Sequence, residues 1–144
     1  MDDAEVEEML AQCRKMTLVT NGSDGWPHAT AMWFAVNDGH VTFMAYRRSQ
    51  KCRNLARDDR VTCMVEAGSS YAELRGVQLR GRATEVTADQ RLDVACAIAQ
   101  RYSERPVDRA DVARHIRARI VYSVELTGGA SWDHRKLAAT RPTS

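Results

Sequence analysis

Lysine is scarce in this 144-residue chain. Of its 21 basic residues only Lys15, Lys51 and Lys136 are lysines, and the rest are arginines. Metal-binding patterns are missing too. Cys13, Cys52, Cys63 and Cys96 form no C-x-x-C pair, and His28, His40, His115 and His134 stand at no zinc-ligand spacing, so no metal site is expected. Isolated cysteines suit a reducing compartment, which points to a cytoplasmic protein. No run approaches the roughly 18 apolar residues of a membrane-spanning helix. Asp2, Asp3, Glu5, Glu7 and Glu8 give the start of the chain the wrong sign for a signal or transit peptide. Repeats and low-complexity tracts are absent. A net charge of +2 excludes a broadly cationic nucleic-acid coat, and no surface of interleaved aromatic and basic residues is present. Neither a nucleic acid nor a membrane is therefore expected as a partner.

What is present suits one domain over residues 1–144. The chain is 44% hydrophobic and 28% charged, and it is long enough to bury a core without staples. Arginine reads phosphate and carboxylate groups by bidentate contact. Alanine is also abundant, so GC-rich codon usage accounts for much of the excess, and position must separate the two readings.

Residues 3–14 read as an amphipathic helix carrying Val6, Met9, Leu10 and Cys13 on one face. Short strands follow at 17–20 and 28–36. Asn37-Asp38-Gly39 then marks a hairpin to a strand at 40–46. Ser49 caps a short helix at 50–57. Strands at 60–66 and 71–86 come next, the second with a bulge expected at Arg75-Gly76. A helix at 87–102 is capped by Thr87, and a further helical stretch covers 107–115. The last strand, 119–126, ends at Thr127-Gly128-Gly129, leaving a tail from about 130 to 144. The pattern is mainly β with short helices, in six mostly antiparallel strands. Several strands are apolar on both faces, more than a few short helices can cover, which points to a homodimer.

Four features look like parts of a site. Around Ser49, the bases Arg47, Arg48, Lys51 and Arg53 stand at a helix entrance, where free N–H groups and the helix dipole favour an anion such as a phosphate monoester. A solvated helix start is the plainer reading. Ala29, Thr30, Ala31, Met32, Trp33 and Phe34 form a strand able to offer its edge to a flat ring, or simply a core strand. Gln78, Arg80 and Arg82 share one strand face, towards solvent, a partner or a ligand. Trp132 and His134 follow the Gly-Gly bend, as docked tail or as groups ordered by a second subunit.

The order of these segments is specific. Gly25-Trp26-Pro27-His28, an apolar strand and Asn37-Asp38-Gly39 lead to Tyr46-x-x-Ser49-x-Lys51-x-x-Asn54-Leu55. Asp58-Asp59-Arg60-Val61-Thr62, Tyr71-Ala72-Glu73-Leu74-Arg75-Gly76, Gly81-Arg82-Ala83 and Ser131-Trp132-Asp133-His134-Arg135-Lys136-Leu137 complete the set. From about residue 16 to 137 it resembles the flavin/deazaflavin oxidoreductase superfamily, which shares the split β-barrel of pyridoxamine 5′-phosphate oxidase and of FMN-binding proteins. The Tyr71–Gly76 and Ser131–Leu137 stretches look most like the branch that uses the deazaflavin coenzyme F-420.

The resemblance implies a homodimer with cofactor sites at its interface. It implies that residues 29 to 34 line the ring, that Met44 and Ala45 continue that wall, and that Ser49 and Lys51 bind phosphate. Trp132 matches a Trp on the cofactor side. Arg47, Arg48 and Arg53 would suit the carboxylates of the polyglutamate tail of F-420. A small conjugated organic molecule would be the substrate, with His134 or Tyr46 as proton donor candidates. Gln50 stands where the oxidases commonly have Arg, Gly76 where they supply a Gln, and Phe34 where they have a substrate-binding Lys. Their C-terminal Arg-x-His-x-Arg motif is absent, so pyridoxamine phosphate oxidation is not expected. The rival readings are an FMN-dependent oxidoreductase or flavin-binding protein of the same fold, and a haem- or biliverdin-binding relative.

Overall fold

Asp38 and Gly39 both take left-handed backbone, with φ of 51° and 77°. A two-residue hairpin turn needs that conformation to match the twist of its strands. They join strand β3 (Ala35–Asn37) to β4 (His40–Tyr46). The structure is a computed structural model and describes residues 1–139; residues 140–144 of the expected tail lie outside the described residues. The other strands are β1 (Met16–Asn21), β2 (Pro27–Met32), β5 (Arg60–Ala67), β6 (Arg75–Glu85) and β7 (Arg119–Asp133). They form one antiparallel sheet in the order β2-β1-β5-β6-β7-β4-β3.

β2 and β3 are the two edges of this sheet, yet Met32 and Ala35 are three residues apart in the chain. Three residues reach at most about 10 Å, whereas seven strands laid flat are roughly 29 Å wide. The sheet therefore curls until its edges face each other across a seam. Its interior holds Met16, Leu18, Phe34, Phe43, Val61, Cys63, Val65, Val77 and Val124, all buried. The alternation of β1 and β5, whose even (β1) and odd (β5) residues are buried, supplies this core.

Helix α1 (Asp3–Gln12) opens with a capping box, Asp2 accepting from Glu5 N–H at 2.8 Å and Glu5 from Asp2 N–H at 2.7 Å. Helix α2 (Gln50–Arg57) packs on β1 and β4. Helices α3 (Arg91–Arg101) and α4 (Arg109–His115), with the 3₁₀ turn after α4, bury Ala95, Ile98, Val112 and Ile116 against Ala35 and Val121 in a second cluster. On the outer face of β2-β1-β5-β6, the register aligns Ala29 and Ala31 with Val19 and Thr17, then with Thr62 and Met64, then with Arg80 and Gln78. None of these is buried. Helix α5 (His134–Ala139) follows β7 directly.

Four expectations from the sequence are corrected. There are seven strands, not six, because the stretch 28–36 breaks at Trp33-Phe34. There Phe34 N–H donates to the Tyr102 hydroxyl (3.0 Å), and Arg101 Nη1 donates to Phe34 O (2.6 Å). The backbone groups of Phe34 are thus satisfied by side chains and not by a strand ladder. Residues 71–73 form a 3₁₀ turn before β6, and the register shift lies between Arg80 and Gly81, not at Arg75-Gly76. β7 does not end at Gly128-Gly129. Gly81 pairs with Leu126 and Arg80 with Gly128, so the shift absorbs Thr127 and pairing runs on to Asp133. Finally, α3 starts at Arg91. Thr87 spends its hydroxyl on Asp89, and a turn bonded to Thr87 O precedes the helix.

Candidate functional site

The entrance of α2 is built as its sequence suggests. Ser49 has extended backbone, and its Oγ accepts from Cys52 N–H at 3.3 Å. The first helical hydrogen bond runs from Arg53 N–H to Ser49 O, so the N–H groups of Gln50 and Lys51 precede it. No acid lies in the first turn. Arg47, Arg48, Lys51 and Arg53 ion-pair with no carboxylate among the described residues. Backbone contacts hold the group in place. Arg47 N–H donates to Ala118 O (2.9 Å), Arg53 Nη2 donates to Arg48 O (3.0 Å), and the Arg119 guanidinium lies 4.1 Å over the Tyr46 ring.

An internal strut ties α2 to the barrel wall. Gln50 Nε2 donates to Asn54 Oδ1 (2.8 Å), and Asn54 Nδ2 donates to Thr20 Oγ1 (3.0 Å). Thr20 stands opposite His28 and Leu18 opposite Thr30 across the β1–β2 ladder, so His28 and Thr30 share the face against which α2 packs. His28 Nδ1 and Thr30 Oγ1 are buried atoms with no hydrogen-bond partner. The sequence signal for His28 is its alternation with Thr30 on one strand face.

The expected ring wall divides by exposure. Ala29, Ala31 and Trp33 are exposed, and Thr30 and Met32 are half-buried. The Phe34 side chain is in the core beneath the Arg101 guanidinium, and Ala45 is also in the core. Met44 packs against the second cluster, under α3. Trp33 stacks flat on Tyr102, ring centroids 4.3 Å apart. Arg101 and Tyr102, which clasp this bend, carried no local sequence signal.

Trp132 and His134 lie elsewhere in the chain fold. Trp132 pairs with Gly76, and a Cβ added at Gly76 would collide with the indole. Tyr46 pairs with the first residue of β7 and Arg75 with its last, about 45 Å of strand path apart. His134 Nδ1 lies 2.8 Å from Tyr71 O, and its ring centroid is 4.5 Å from that of Tyr71. Tyr71 is 74% exposed and lies in the 3₁₀ turn, not in the strand that the sequence predicts for 71–86. The neighbouring Asp133 carboxyl is held down at about 2 by its hydrogen bonds to Arg135.

The cysteines are packing residues. Burial pushes the Cys63 thiol up to about 12, and Cys52 is on the buried face of α2, where burial, with a hydrogen bond to Cys52, also raises the Tyr122 hydroxyl. No group of three or more His, Cys, Asp or Glu is arranged to hold a metal among the described residues, and none of their helices is long and apolar enough to cross a membrane.

The arrangement thus offers a cationic helix entrance, an edge strand with two buried polar atoms that lack partners, and a separate aromatic tail. Among solved structures, the conserved hypothetical protein Rv2991 from Mycobacterium tuberculosis is 35% identical, with a TM-score of 0.89 over 100% of this chain and 92% of that one. An F-420 reductase is 25% identical, with a TM-score of 0.65 over 86% and 94%. HutZ, the haem storage protein from Vibrio cholerae, shares the fold at 14% identity, with a TM-score of 0.72 over 91% and 93%. No curated protein matches the chain. The family profile of pyridoxamine 5′-phosphate oxidase matches residues 2–133. With that match on nearly the whole of its seven-stranded barrel, the chain belongs to the pyridoxamine 5′-phosphate oxidase family.

Proposed function

We propose that two copies of this chain form an oxidoreductase that binds the deazaflavin coenzyme F-420 between them, with hydride transfer to or from a small conjugated organic substrate. The observation that carries this reading is the α2 entrance, where a capping serine stands in sequence among four cations that have no carboxylate partner among the described residues. Ser49, Lys51 and the first N–H groups of α2 are the donor set for a phosphate monoester. Three arginines remain beyond it. FMN ends at its phosphate, whereas F-420 continues into a chain of carboxylates, so Arg47, Arg48 and Arg53 favour F-420.

The residues present fit such a cofactor. His28 and Thr30 supply unsatisfied polar atoms on the α2 side of β2. Ala29 and Ala31 lie on the opposite, outer face of that strand, where their small side chains leave room for a flat ring held between the two copies. The chemistry the cofactor supplies when bound is hydride transfer at ring carbon 5, without one-electron oxygen chemistry. The protein's part is to bind, orient and exclude water. The outer face centred on Val19, Thr62 and Met64 is the surface offered to the second copy, and a second copy would bring Trp132 and His134 to a site they do not reach within one chain.

Titration with F-420 tests the assignment of the anion site. Ser49→Ala with Lys51→Ala weakens binding more than Arg80→Ala with Arg82→Ala. Equal loss from both pairs would place the anion elsewhere.

A further inference from the structure

His134 is held by a single turn. Its N–H donates to Leu74 O at 2.8 Å, its Nδ1 lies 2.8 Å from Tyr71 O, and its ring packs on the Tyr71 ring with the planes 47° apart. That turn is itself fixed. Glu73 Oε2 accepts from the N–H groups of Ser69 (3.4 Å) and Ser70 (3.3 Å), and Glu73 N–H donates to Ser70 O (3.0 Å). These hydrogen bonds hold the Glu73 carboxyl below the usual carboxylate range, so it stays the charged acceptor that closes the turn.

A carbonyl oxygen has no proton to give, so the contact to Tyr71 O is a hydrogen bond only if Nδ1 carries the proton. Neutral imidazole has one ring proton, and placing it on Nδ1 leaves a lone pair on Nε2. Nε2 has no hydrogen-bond partner among the described residues. We propose that Tyr71 is a positioning residue which, through its carbonyl, holds neutral His134 as the Nδ1–H tautomer and presents Nε2 as an acceptor to an O–H or N–H group of a bound planar ligand.

This reverses the role expected from the sequence. Neutral His134 accepts a hydrogen bond, and only the imidazolium can donate from Nε2. The exposed Tyr71 ring beside it gives the ligand a flat apolar neighbour. The identity of the ligand rests on the function proposed above, but the tautomer is a property of the free protein.

Long-range ¹H–¹⁵N correlation spectra of ¹⁵N-histidine-labelled protein, recorded with the imidazole neutral, read the tautomer directly. His134→Gln assigns the signals. Wild type, Tyr71→Phe and Tyr71→Ala all keep the residue 71 carbonyl and are expected to show Nδ1 protonated and Nε2 bare, whereas Glu73→Ala, which unfastens the turn that carries this carbonyl, is expected to gain the Nε2–H form. An Nε2–H tautomer in wild type, or an unchanged tautomer in Glu73→Ala, overturns the proposal. Saturation with F-420 is expected to move the Nε2 resonance as it accepts a hydrogen bond, and an unmoved Nε2 in saturated protein overturns the acceptor role. Nδ1–H protein that binds no F-420 leaves the positioning of His134 standing and defeats the cofactor assignment instead.

Discussion

Asn54 Nδ2 donates to Thr20 Oγ1 across 3.0 Å, and both residues are buried. This contact fixes α2, and with it Ser49 and Lys51, against the wall of the barrel. Asn54→Ala would leave the Thr20 hydroxyl buried without its donor. A loss of about 1–3 kcal/mol is expected in denaturant unfolding. Thr20→Val with Asn54→Leu is expected to cost less than the sum of the single changes, since both polar partners leave together. Strict additivity would show that the two do not interact.

The Trp132 indole lies directly over Gly76, on the neighbouring strand. Gly76→Ala is expected to displace the indole and destabilise the protein by about 1–3 kcal/mol, the usual cost of overpacking. Tryptophan fluorescence and thermal unfolding report both effects. In a Trp132→Ala background the same change is expected to cost far less. An equal cost in both backgrounds would mean that the close approach is not what makes glycine necessary there.

The parts of this site that were readable in the sequence are those whose cause is local. The Asp38-Gly39 hairpin needs two left-handed residues, and the Ser49 cap needs a hydroxyl one residue before a helix. Both signals sit in the residues themselves. The break at Trp33-Phe34 is made by Arg101 and Tyr102, 67 and 68 positions away, so the stretch 28–36 read as a single strand. Likewise Gly128 and Gly129 look like a stop until the long β6 is seen beside them: a Cβ at Gly129 would press on Gln78 O. Glycine there allows close approach within a continuing strand. Trp132 and His134 were legible as site-like residues, but their separation from Ser49 follows from the length of β7 and has no local signature.

Acid stability offers a third test. The side chain of Asp133 is little exposed, and its hydrogen bonds to Arg135 hold its carboxyl at about 2, against an ordinary value of about 3.9. A carboxyl depressed in the folded state contributes stability that is fully present above its unfolded value and is lost as pH falls through its folded value. The contribution of Asp133 therefore fades between about pH 4 and pH 2. Asp58, held low by Arg60, acts in the same direction. Asp133→Asn is expected to flatten the fall in unfolding free energy over that window while leaving its pH dependence near neutrality unchanged. An identical acid profile in the variant would contradict the ion-paired state.

The cationic entrance of α2 is proposed to serve a deazaflavin with a carboxylate tail. Parallel equilibrium titrations of the wild-type protein with F-420 and with FMN test it most directly. Saturable binding of F-420 is expected, with one site per chain and a lower Kd than for FMN. Tight FMN binding with no binding of F-420 would contradict it.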